Sequence, residues 1–356
     1  METDMRRRDF LLTTGAGLIG SAAWSEAGAP KLLAAANDAS KRAWLVALDQ
    51  NAAEVFRLPL PARGHAAAAH PHRAEAVAFA RRPGRYGVVL DCPAGREKAR
   101  LDLPEDRHFF GHGAFTADGR YLLTTENDFD KGEGRLGVWD TADYARIDDL
   151  PSGGIGPHEI IRLPDGGFAV ANGGILTHPD FGRAKLNLPT MRPNLSYLSA
   201  DGRLMEMVEP PEAQRQNSIR HIDVDAQGRV AIALQWQGSP LKQVPALALH
   251  QRGGELHYAD HPDTARLKHY AGSISFSPDG DEILVTGPKG DYLLVFDGRT
   301  GAAKGGLALP QASGVAPLGA ELAVTVAGGL VIRQGGGFSR VAAETGLVWD
   351  NHLVPV

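Results

Sequence analysis

One pattern recurs along most of this 356-residue chain and constrains its fold more than any other feature. A short apolar strand is followed by a tight turn, a second strand, a polar loop, a third strand that ends in Asp, and a fourth strand. The clearest copy covers residues 112–150, where Ala117-Asp118-Gly119 supplies the tight turn and residues 136–140 the third strand. Four antiparallel strands in about 40 residues are typical of one blade of a β-propeller.

The spacing of the copies predicts the number of blades. First strands are expected near residues 65, 112, 158, 221, 273, 314 and 352, which makes seven blades. In the seventh, residues 351–354 would form the innermost strand, and residues 32–36, 44–49 and 55–58 the other three. Joining both chain ends in one sheet closes the ring without a long exposed edge. We therefore predict an all-β fold, a seven-bladed β-propeller; a β-sandwich and a six- or eight-bladed ring are the alternatives.

Composition excludes several classes of protein. The 37 Lys and Arg against 42 Asp and Glu give a net charge of −5, which argues against a nucleic-acid binder, since such proteins need a clustered cationic surface. The single cysteine, Cys92, excludes an intrachain disulfide framework and a Cys-rich metal site. The 43 Gly and 23 Pro favour many short strands and turns over long helices.

The N-terminus carries the pattern of an export signal. Arg6-Arg7-Arg8 precedes an apolar, glycine-interrupted stretch over residues 11–24, which is typical of twin-arginine signals. The small residues around Ala29 predict cleavage there. We expect residues 1–29 to be the signal and residues 30–356 the propeller domain, delivered to the periplasm without a transmembrane anchor after cleavage.

Histidine marks the start of the innermost strand in five of the seven repeats. Innermost strands line the central channel of a propeller, so these side chains should converge at one mouth. Neutral imidazole is the commonest metal ligand and suits iron, copper, zinc or a haem edge. Hydrogen bonding between neighbouring blades is the structural alternative for each of them. The predicted metal ligands are His65, His112, His158, His221 and His352.

Loops between second and third strands should share that face, and they supply further candidates. An insertion over residues 172–194 is expected to fold over the mouth, carrying His178 and Lys185. Those two and Arg220 would hold an anionic group. The remaining polar candidates would orient a ligand, or their alternative role is structural, at the ends of strands. The predicted ligand-binding residues are Glu126, Asn172, His178, Lys185, Arg220 and Gln235.

Several motifs make the chain resemble an uncharacterised bacterial family. They are Gly154-Ile155-Gly156-Pro157-His158-Glu159, Ala171-Asn172-Gly173-Gly174-Ile175, Thr177-His178-Pro179-Asp180, Lys185-Leu186-Asn187-Leu188, Ser218-Ile219-Arg220-His221 and Gln235-Trp236-Gln237-Gly238. The resemblance implies twin-arginine-exported, seven-bladed propellers of unknown function that are encountered with periplasmic imelysin-type and dihaem cytochrome-type proteins. It therefore implies a setting in iron or haem handling, without assigning a reaction.

Together these features predict a periplasmic propeller that binds a metal ion or metal-containing ligand at a His-lined mouth. Iron or haem is favoured, with copper as the alternative, in uptake or redox, and the expected partners are periplasmic iron- or haem-handling proteins. Two other functions stay open at this point: a non-catalytic scaffold for protein interactions, and an oxidoreductase or hydrolase that uses the same channel.

Overall fold

The computed structural model describes residues 23–82, 84–341 and 346–356. Within these residues the chain forms seven four-stranded antiparallel sheets, each built in the strand order that the repeat predicts. The predicted all-β, seven-bladed β-propeller is confirmed. We number the blades from the first complete sheet in the chain, so that the blade shared by the two termini is blade 7.

The four strands of each blade run outward from the channel. The innermost strands, in order of blades 1 to 7, are β4 (Gly64–Ala69), β8 (Arg107–Phe115), β12 (Pro157–Arg162), β16 (Asn217–Val224), β20 (Ser273–Phe276), β24 (Val315–Leu318) and β28 (Val348–Pro355). The second strands are β5 (Glu75–Ala80), β9 (Tyr121–Asp128), β13 (Phe168–Asn172), β17 (Val230–Trp236), β21 (Glu282–Gly287), β25 (Glu321–Val326) and β1 (Leu32–Asn37).

The third and fourth strands complete the sheets. The third strands are β6 (Gly87–Asp91), β10 (Glu133–Asp140), β14 (Asn194–Leu198), β18 (Leu247–His250), β22 (Tyr292–Asp297), β26 (Gly329–Gln334) and β2 (Ala43–Leu48). The outer strands are β7 (Arg96–Arg100), β11 (Ala145–Pro151), β15 (Leu204–Val208), β19 (His257–Ala259), β23 (Ala303–Ala308), β27 (Gly337–Arg340) and β3 (Glu54–Pro59). Short 3-10 helices in the described part are Ala23–Ala27, Pro179–Phe181, Leu188–Thr190, Glu212–Gln214 and Thr264–Leu267.

Blade 7 closes the ring by pairing the two ends of the chain. Strand β28 is antiparallel to β1, with Leu33 opposite Val354, and β1 in turn pairs with β2. The split blade predicted from the sequence is therefore confirmed. Because every sheet lies between two others, the apolar faces of the described strands pack against neighbouring blades.

The hydrophobic core lies between blades. Among the described residues, seven clusters of buried apolar side chains each join two adjacent blades. Between blades 1 and 2, for example, the ring centroid of Phe79 lies 5.6 Å from that of Phe109. The ring centroid of Phe109 lies 6.3 Å from that of Trp139. Outer strands such as β7 and β23 are mostly exposed. The second and third strands are therefore fixed by apolar burial, and the channel-lining strands are free to carry polar side chains.

The hairpin of blade 2 differs from the sequence prediction. The stretch of residues 126–134 was expected to be a loop, but Glu126 to Asp128 continue β9 and pair with β10 from Arg135 to Glu133. Burial explains the difference, because Asp128 forms an ion pair with buried Arg107 of β8. Charged side chains that find partners inside a sheet extend it instead of ending it.

The N-terminal segment lies against blade 1. The indole of Trp24 is 2% exposed and its Nε1 donates a hydrogen bond to the carbonyl oxygen of His70 at 3.1 Å. The predicted arginine motif and most of the apolar stretch belong to residues 1–22, which lie outside the described residues, and processing near Ala29 stays a prediction. In the described part of the chain, no helix combines the length and hydrophobicity that crossing a bilayer requires.

Candidate metal centre

The five predicted histidines meet at one point of the channel. Their ring centroids lie 4.5 to 6.5 Å apart in nine of the ten pairs. His112 and His352 are the closest pair, at 4.5 Å. Four of the five rings are buried, and His158 is partly exposed. Five separate blades thus contribute one side chain each to a single imidazole cluster, which we call the His cluster.

A β-bulge lies at the histidine, or directly before it, in each of these five strands. The pairing register shifts between Gly64 and Ala67 in β4, between Phe109 and Gly113 in β8, and at the corresponding positions of β12, β16 and β28. By contrast, β20 and β24, which carry no histidine there, pair in continuous register. An extra residue bends a strand and redirects its side chains. The bulges therefore account for five imidazoles reaching one point.

Glu159 joins two of the rings. Its carboxylate oxygens lie 3.3 Å from Nδ1 of His112 and 3.3 Å from Nδ1 of His221, and Oε2 also accepts the backbone N–H of Ile222 at 2.9 Å. Burial on its own raises the pKa of Glu159, but the two histidines outweigh burial and hold it well below its usual value. An ionised carboxylate only accepts hydrogen bonds, so Nδ1 carries the proton in both rings.

Asp350 holds a third ring in the same way. Its Oδ1 lies 2.9 Å from Nδ1 of His65, and its other oxygen accepts from Arg63 at 3.0 Å. Arg81 also forms an ion pair with this carboxylate. Burial raises the pKa of Asp350, but His65 and Arg81 outweigh burial and keep it well below the usual value. A carboxylate on Nδ1 leaves Nε2 as the nitrogen with a free lone pair.

Four of the five imidazoles, those of His65, His158, His221 and His352, are held in the neutral form at physiological pH. Burial, which disfavours the charged ring, lowers the pKa of His65 to about 3 and that of His221 below its usual value. Burial also lowers the pKa of His158 and His352 well below 6.5, and neighbouring cationic and imidazole groups lower it further. Neutral imidazole is the form that binds a metal ion.

Two buried nitrogens of the cluster have no partner among the described residues. They are Nε2 of His112 and Nε2 of His352. A buried polar atom without a hydrogen bond is costly, and such atoms point to an ion or ligand. Two overlapping groups have ligand atoms within 4.8 Å of one another: one is His112, Glu159, His221 and His352, and the other is His65, His112 and His158.

The cluster borders a cavity in the channel. This cavity has a volume of about 420 Å³ and is lined by residues that follow the histidines along the innermost strands, with His112, Glu159 and His352 at the cluster. Asp223 also lines it, and burial raises the pKa of this carboxyl to about 6 although the backbone N–H of Phe276 donates to it at 2.8 Å. A small molecule or solvent in the cavity would therefore contact the His cluster directly.

The predicted cationic residues lie on the other side of the cluster. Arg220 is the extra residue in the bulge of β16, directly before His221. Burial, and to a lesser extent the nearby guanidinium of Arg82, lower the pKa of Arg220 to about 10. Lys185 reaches from the blade 3 insertion to the side-chain oxygen of Gln237 in blade 4. Burial lowers the pKa of Lys185 too, as do Arg220, Lys289 and Arg82.

The blade 3 insertion spans the face as predicted. Besides the contact of Lys185 with blade 4, Arg183 donates to the carbonyl oxygen of Arg82 in blade 1 at 2.7 Å. His178 lies beside blade 2, where its ring is 5.1 Å from that of Phe129 and its Nδ1 accepts the backbone N–H of Asp180 at 3.2 Å. His178 is thus not brought into the His cluster.

The other three predicted residues are engaged within or between blades. Buried Glu126 accepts from Arg146 at 2.6 Å and from Thr124 at 2.8 Å. Burial raises its pKa, although Arg146 and Thr124 lower it. Asn172 belongs to a buried network with Ser152, Asn194 and Ser196. Gln235 donates to the carbonyl oxygen of Ala271 at 2.9 Å. The structure does not bring these three side chains to the imidazoles, and their predicted ligand roles stay predictions.

Sequence reasoning missed the two carboxylates. Glu159 directly follows His158, and Asp350 precedes His352 by two residues, so both were visible beside a predicted ligand. Their signal is weak because acidic residues near strand ends are common, and the distances that matter run between different blades.

Comparisons with known proteins agree with this fold. Hydrazine synthase from Kuenenia stuttgartiensis is similar with a TM-score of 0.56 and 13% identity, covering 81% of this chain and 79% of that one. A functionally unknown protein from Desulfotomaculum acetoxidans DSM 771 is similar with a TM-score of 0.59 and 11% identity, covering 92% of this chain and 98% of that one. At such low identity both likenesses concern the fold alone.

The sequence comparisons identify a family but no activity. No curated protein matches the chain. One family profile, described as a protein of unknown function, matches residues 58–356, which include all five histidines and both carboxylates of the centre. This chain therefore belongs to the DUF1513 family.

Proposed function

We propose that the protein binds one transition-metal ion at the His cluster, with His112 and His352 foremost among its ligands. The observation that carries this proposal is the pair of buried, unpartnered Nε2 atoms, of His112 and His352, within a cluster of five imidazoles. Carboxylates on Nδ1 of His65, His112 and His221 orient the rings in the manner of the outer shell of a metal site.

The geometry favours a single ion over haem. Imidazole centroids 4.5 to 6.5 Å apart leave space for one ion between the rings and none for a macrocycle. Imidazole ligands with a nearby carboxylate suit iron, copper, nickel and zinc. We propose iron, because the resemblance described above implies iron handling, and copper is the competing ion.

The proposal is tested by metal analysis of the purified protein. Wild type is expected to hold close to one equivalent of iron, and the double variant His112→Ala/His352→Ala to hold at least tenfold less. The matched control is His257→Ala, which removes an exposed imidazole from outer strand β19. After chelation, adding Fe(II) without oxygen should raise the melting temperature of wild type and of the control only.

Two outcomes would contradict metal binding. Wild type that holds no iron or copper, and whose melting temperature no metal ion raises, would leave the cluster as a structural ring. Unchanged metal content in the double variant would place the ion elsewhere. A partner that co-purifies with wild type and with the double variant alike would then favour the non-catalytic scaffold.

We further propose that the protein works in the periplasm, beside iron-handling proteins. Support comes from the arginine pair Arg6-Arg7, the apolar stretch after it and the family resemblance. Replacing both arginines by lysine should leave the protein in the cytoplasm, as fractionation with immunoblotting would show. Export of that variant at the wild-type level would contradict a twin-arginine route.

A further inference from the structure

Four cationic side chains lie near one another on the face where the innermost strands begin. Arg82 follows second strand β5, Lys289 follows second strand β21, Lys185 lies in the blade 3 insertion and Arg220 lies in β16. Second strands end, and innermost strands begin, on the same face of a propeller blade. Four blades therefore direct positive charge to one face, and we call these four side chains the cationic rim.

The cationic rim is not neutralised from within the protein. In the described residues, no carboxylate forms an ion pair with any of the four, and Nε of Arg220 is buried without a partner. Lys185 contacts a neutral amide, and Nζ of Lys289 lies 4.2 Å from the ring centre of Tyr270. Unpaired, partly buried cations are unfavourable, and a bound anion relieves their repulsion.

Two neighbouring arginines, unlike Arg82 and Arg220, are paired with a carboxylate. Arg63 and Arg81 lie beside the same cluster, and Asp350 binds both of them. Among the described residues, Asp350 is thus a counter-ion for Arg63 and Arg81, and no carboxylate plays this part for Arg82 or Arg220. Two guanidinium groups left free present forked donors that match the oxygens of a carboxylate or phosphate.

Space for Arg220 is provided by a glycine. A Cβ atom on Gly173 would lie 3.4 Å from Nη1 of Arg220 and 2.9 Å from Oγ of Ser218. The side chain of Arg220 is therefore held against blade 3, immediately before His221 in the chain. An anion on this guanidinium would lie next to the His cluster, on the side away from the channel cavity.

We propose that the cationic rim binds a small oxyanion, with carboxylate or phosphate oxygens, through Arg82 and Arg220. Binding of the anion itself does not depend on a metal. The second part of the proposal rests on the proposed function. A metal ion in the His cluster and this anion attract each other, so each should tighten the binding of the other by the same factor.

Calorimetric titration of the purified protein tests the site. The probes are oxalate for the carboxylate source and inorganic phosphate for the phosphate source, each added to chelated and to Fe(II)-loaded protein. Chelated wild type is expected to bind one equivalent of at least one probe. Arg82→Gln and Arg220→Gln should each bind it at least tenfold more weakly, and Arg96→Gln, which removes an exposed arginine from outer strand β7, should match wild type.

The variants separate this inference from the metal proposal. His112→Ala/His352→Ala should keep the anion affinity of the chelated protein, and Arg82→Gln should keep the metal content. Arg82→Gln also controls for misfolding, because Arg82 lies outside the bulge that precedes His221 and its replacement should leave that bulge intact. No binding of either probe to chelated wild type, or wild-type binding by both arginine variants, would overturn the anion site. Anion binding that leaves the iron affinity unchanged would overturn the coupling alone.

Discussion

At the scale of single residues, Glu159 is the side chain on which the centre depends most. One carboxylate fixes the tautomer and orientation of both His112 and His221, and a backbone N–H from Ile222 holds the carboxylate itself. In the proposed metal site, a positioning group of this kind would act on the ion through the rings. Its removal should therefore weaken metal binding more than it weakens the fold.

Glu159→Gln tests that role. The amide keeps the size of the side chain but offers only one acceptor oxygen, so one ring loses its orienting partner. Metal affinity, measured by competition with a chelator, is expected to fall about 10- to 100-fold. The control Glu97→Gln removes an exposed carboxylate from β7 and should change nothing. Wild-type affinity in Glu159→Gln would show that the rings are held without this carboxylate.

At the scale of elements, the β-bulges set which side chains the innermost strands direct into the His cluster. In a regular strand, successive side chains point to opposite faces of the sheet. The pairing register therefore fixes which residues face the channel. The bulges add one residue in β4, β12 and β16 and two in β8 and β28, at the histidine or directly before it. By contrast, β20 and β24 have continuous pairing and no histidine there. The same strands continue beyond the bulge to line the channel cavity.

Gly111 is the glycine that makes the bulge of β8 feasible. Its φ is +103°, and a Cβ there would lie 2.7 Å from Cδ2 of His65. Gly111→Ala should therefore displace His65, lower the melting temperature and weaken metal binding at least tenfold. The control Gly280→Ala has a φ of +74° with no atom within 4 Å of the added Cβ, so it should cost only backbone strain, about 1 kcal/mol.

Metal affinity is the deciding measurement for this pair. Equal affinity in both alanine variants would show that the position of His65 does not depend on the bulge. Equal melting temperatures would show that the clash relaxes without cost.

At the scale of the whole molecule, closure of the ring places the centre. The His cluster takes side chains from blades 1, 2, 3, 4 and 7, so it exists only when β28 has paired with β1. The cluster also joins residues from both ends of the chain. Folding of the propeller and assembly of the centre are therefore one event, and metal should stabilise the entire molecule.

The buried histidines make the stability of metal-free protein depend on pH. Burial lowers the pKa of both His70 and His108 to about 4, from 6.5 in an unfolded chain. Unfolding then takes up protons below pH 6.5, so their contribution is complete above that pH and is lost as pH falls towards 4. Each contributes roughly 3 kcal/mol at most. The raised pKa of Asp223, about 6, acts in the opposite direction, but it is a single group.

Thermal unfolding with a chelator present checks this expectation. The melting temperature should fall steadily between pH 6.5 and pH 4.5, while little change is expected from pH 7.5 to pH 6.5. A melting temperature that stays flat or rises as the pH falls through this window would contradict neutral buried histidines.

Much of the architecture is already encoded locally. Each repeat carries its own strand pattern and a turn such as Asp118-Gly119, in which Oδ1 of Asp118 accepts the N–H of Arg120 at 3.0 Å. Such signals lie within a few residues of each other, so counting the copies was enough to predict seven blades, the split seventh blade and five equivalent histidines. The face shared by the blade 3 insertion and the His cluster followed from strand direction alone.

Local sequence patterns are therefore sufficient to predict the ring of blades and the equivalent positions of His65, His112, His158, His221 and His352. Only the tertiary structure decided that Glu159 serves two of those rings, that Arg146 engages Glu126, and that Arg82 approaches Arg220. The physical reason is range: hydrogen bonds and charge interactions act over a few ångströms between groups that lie far apart in the chain. A bulge of one or two residues redirects a side chain without leaving a signal in the repeat.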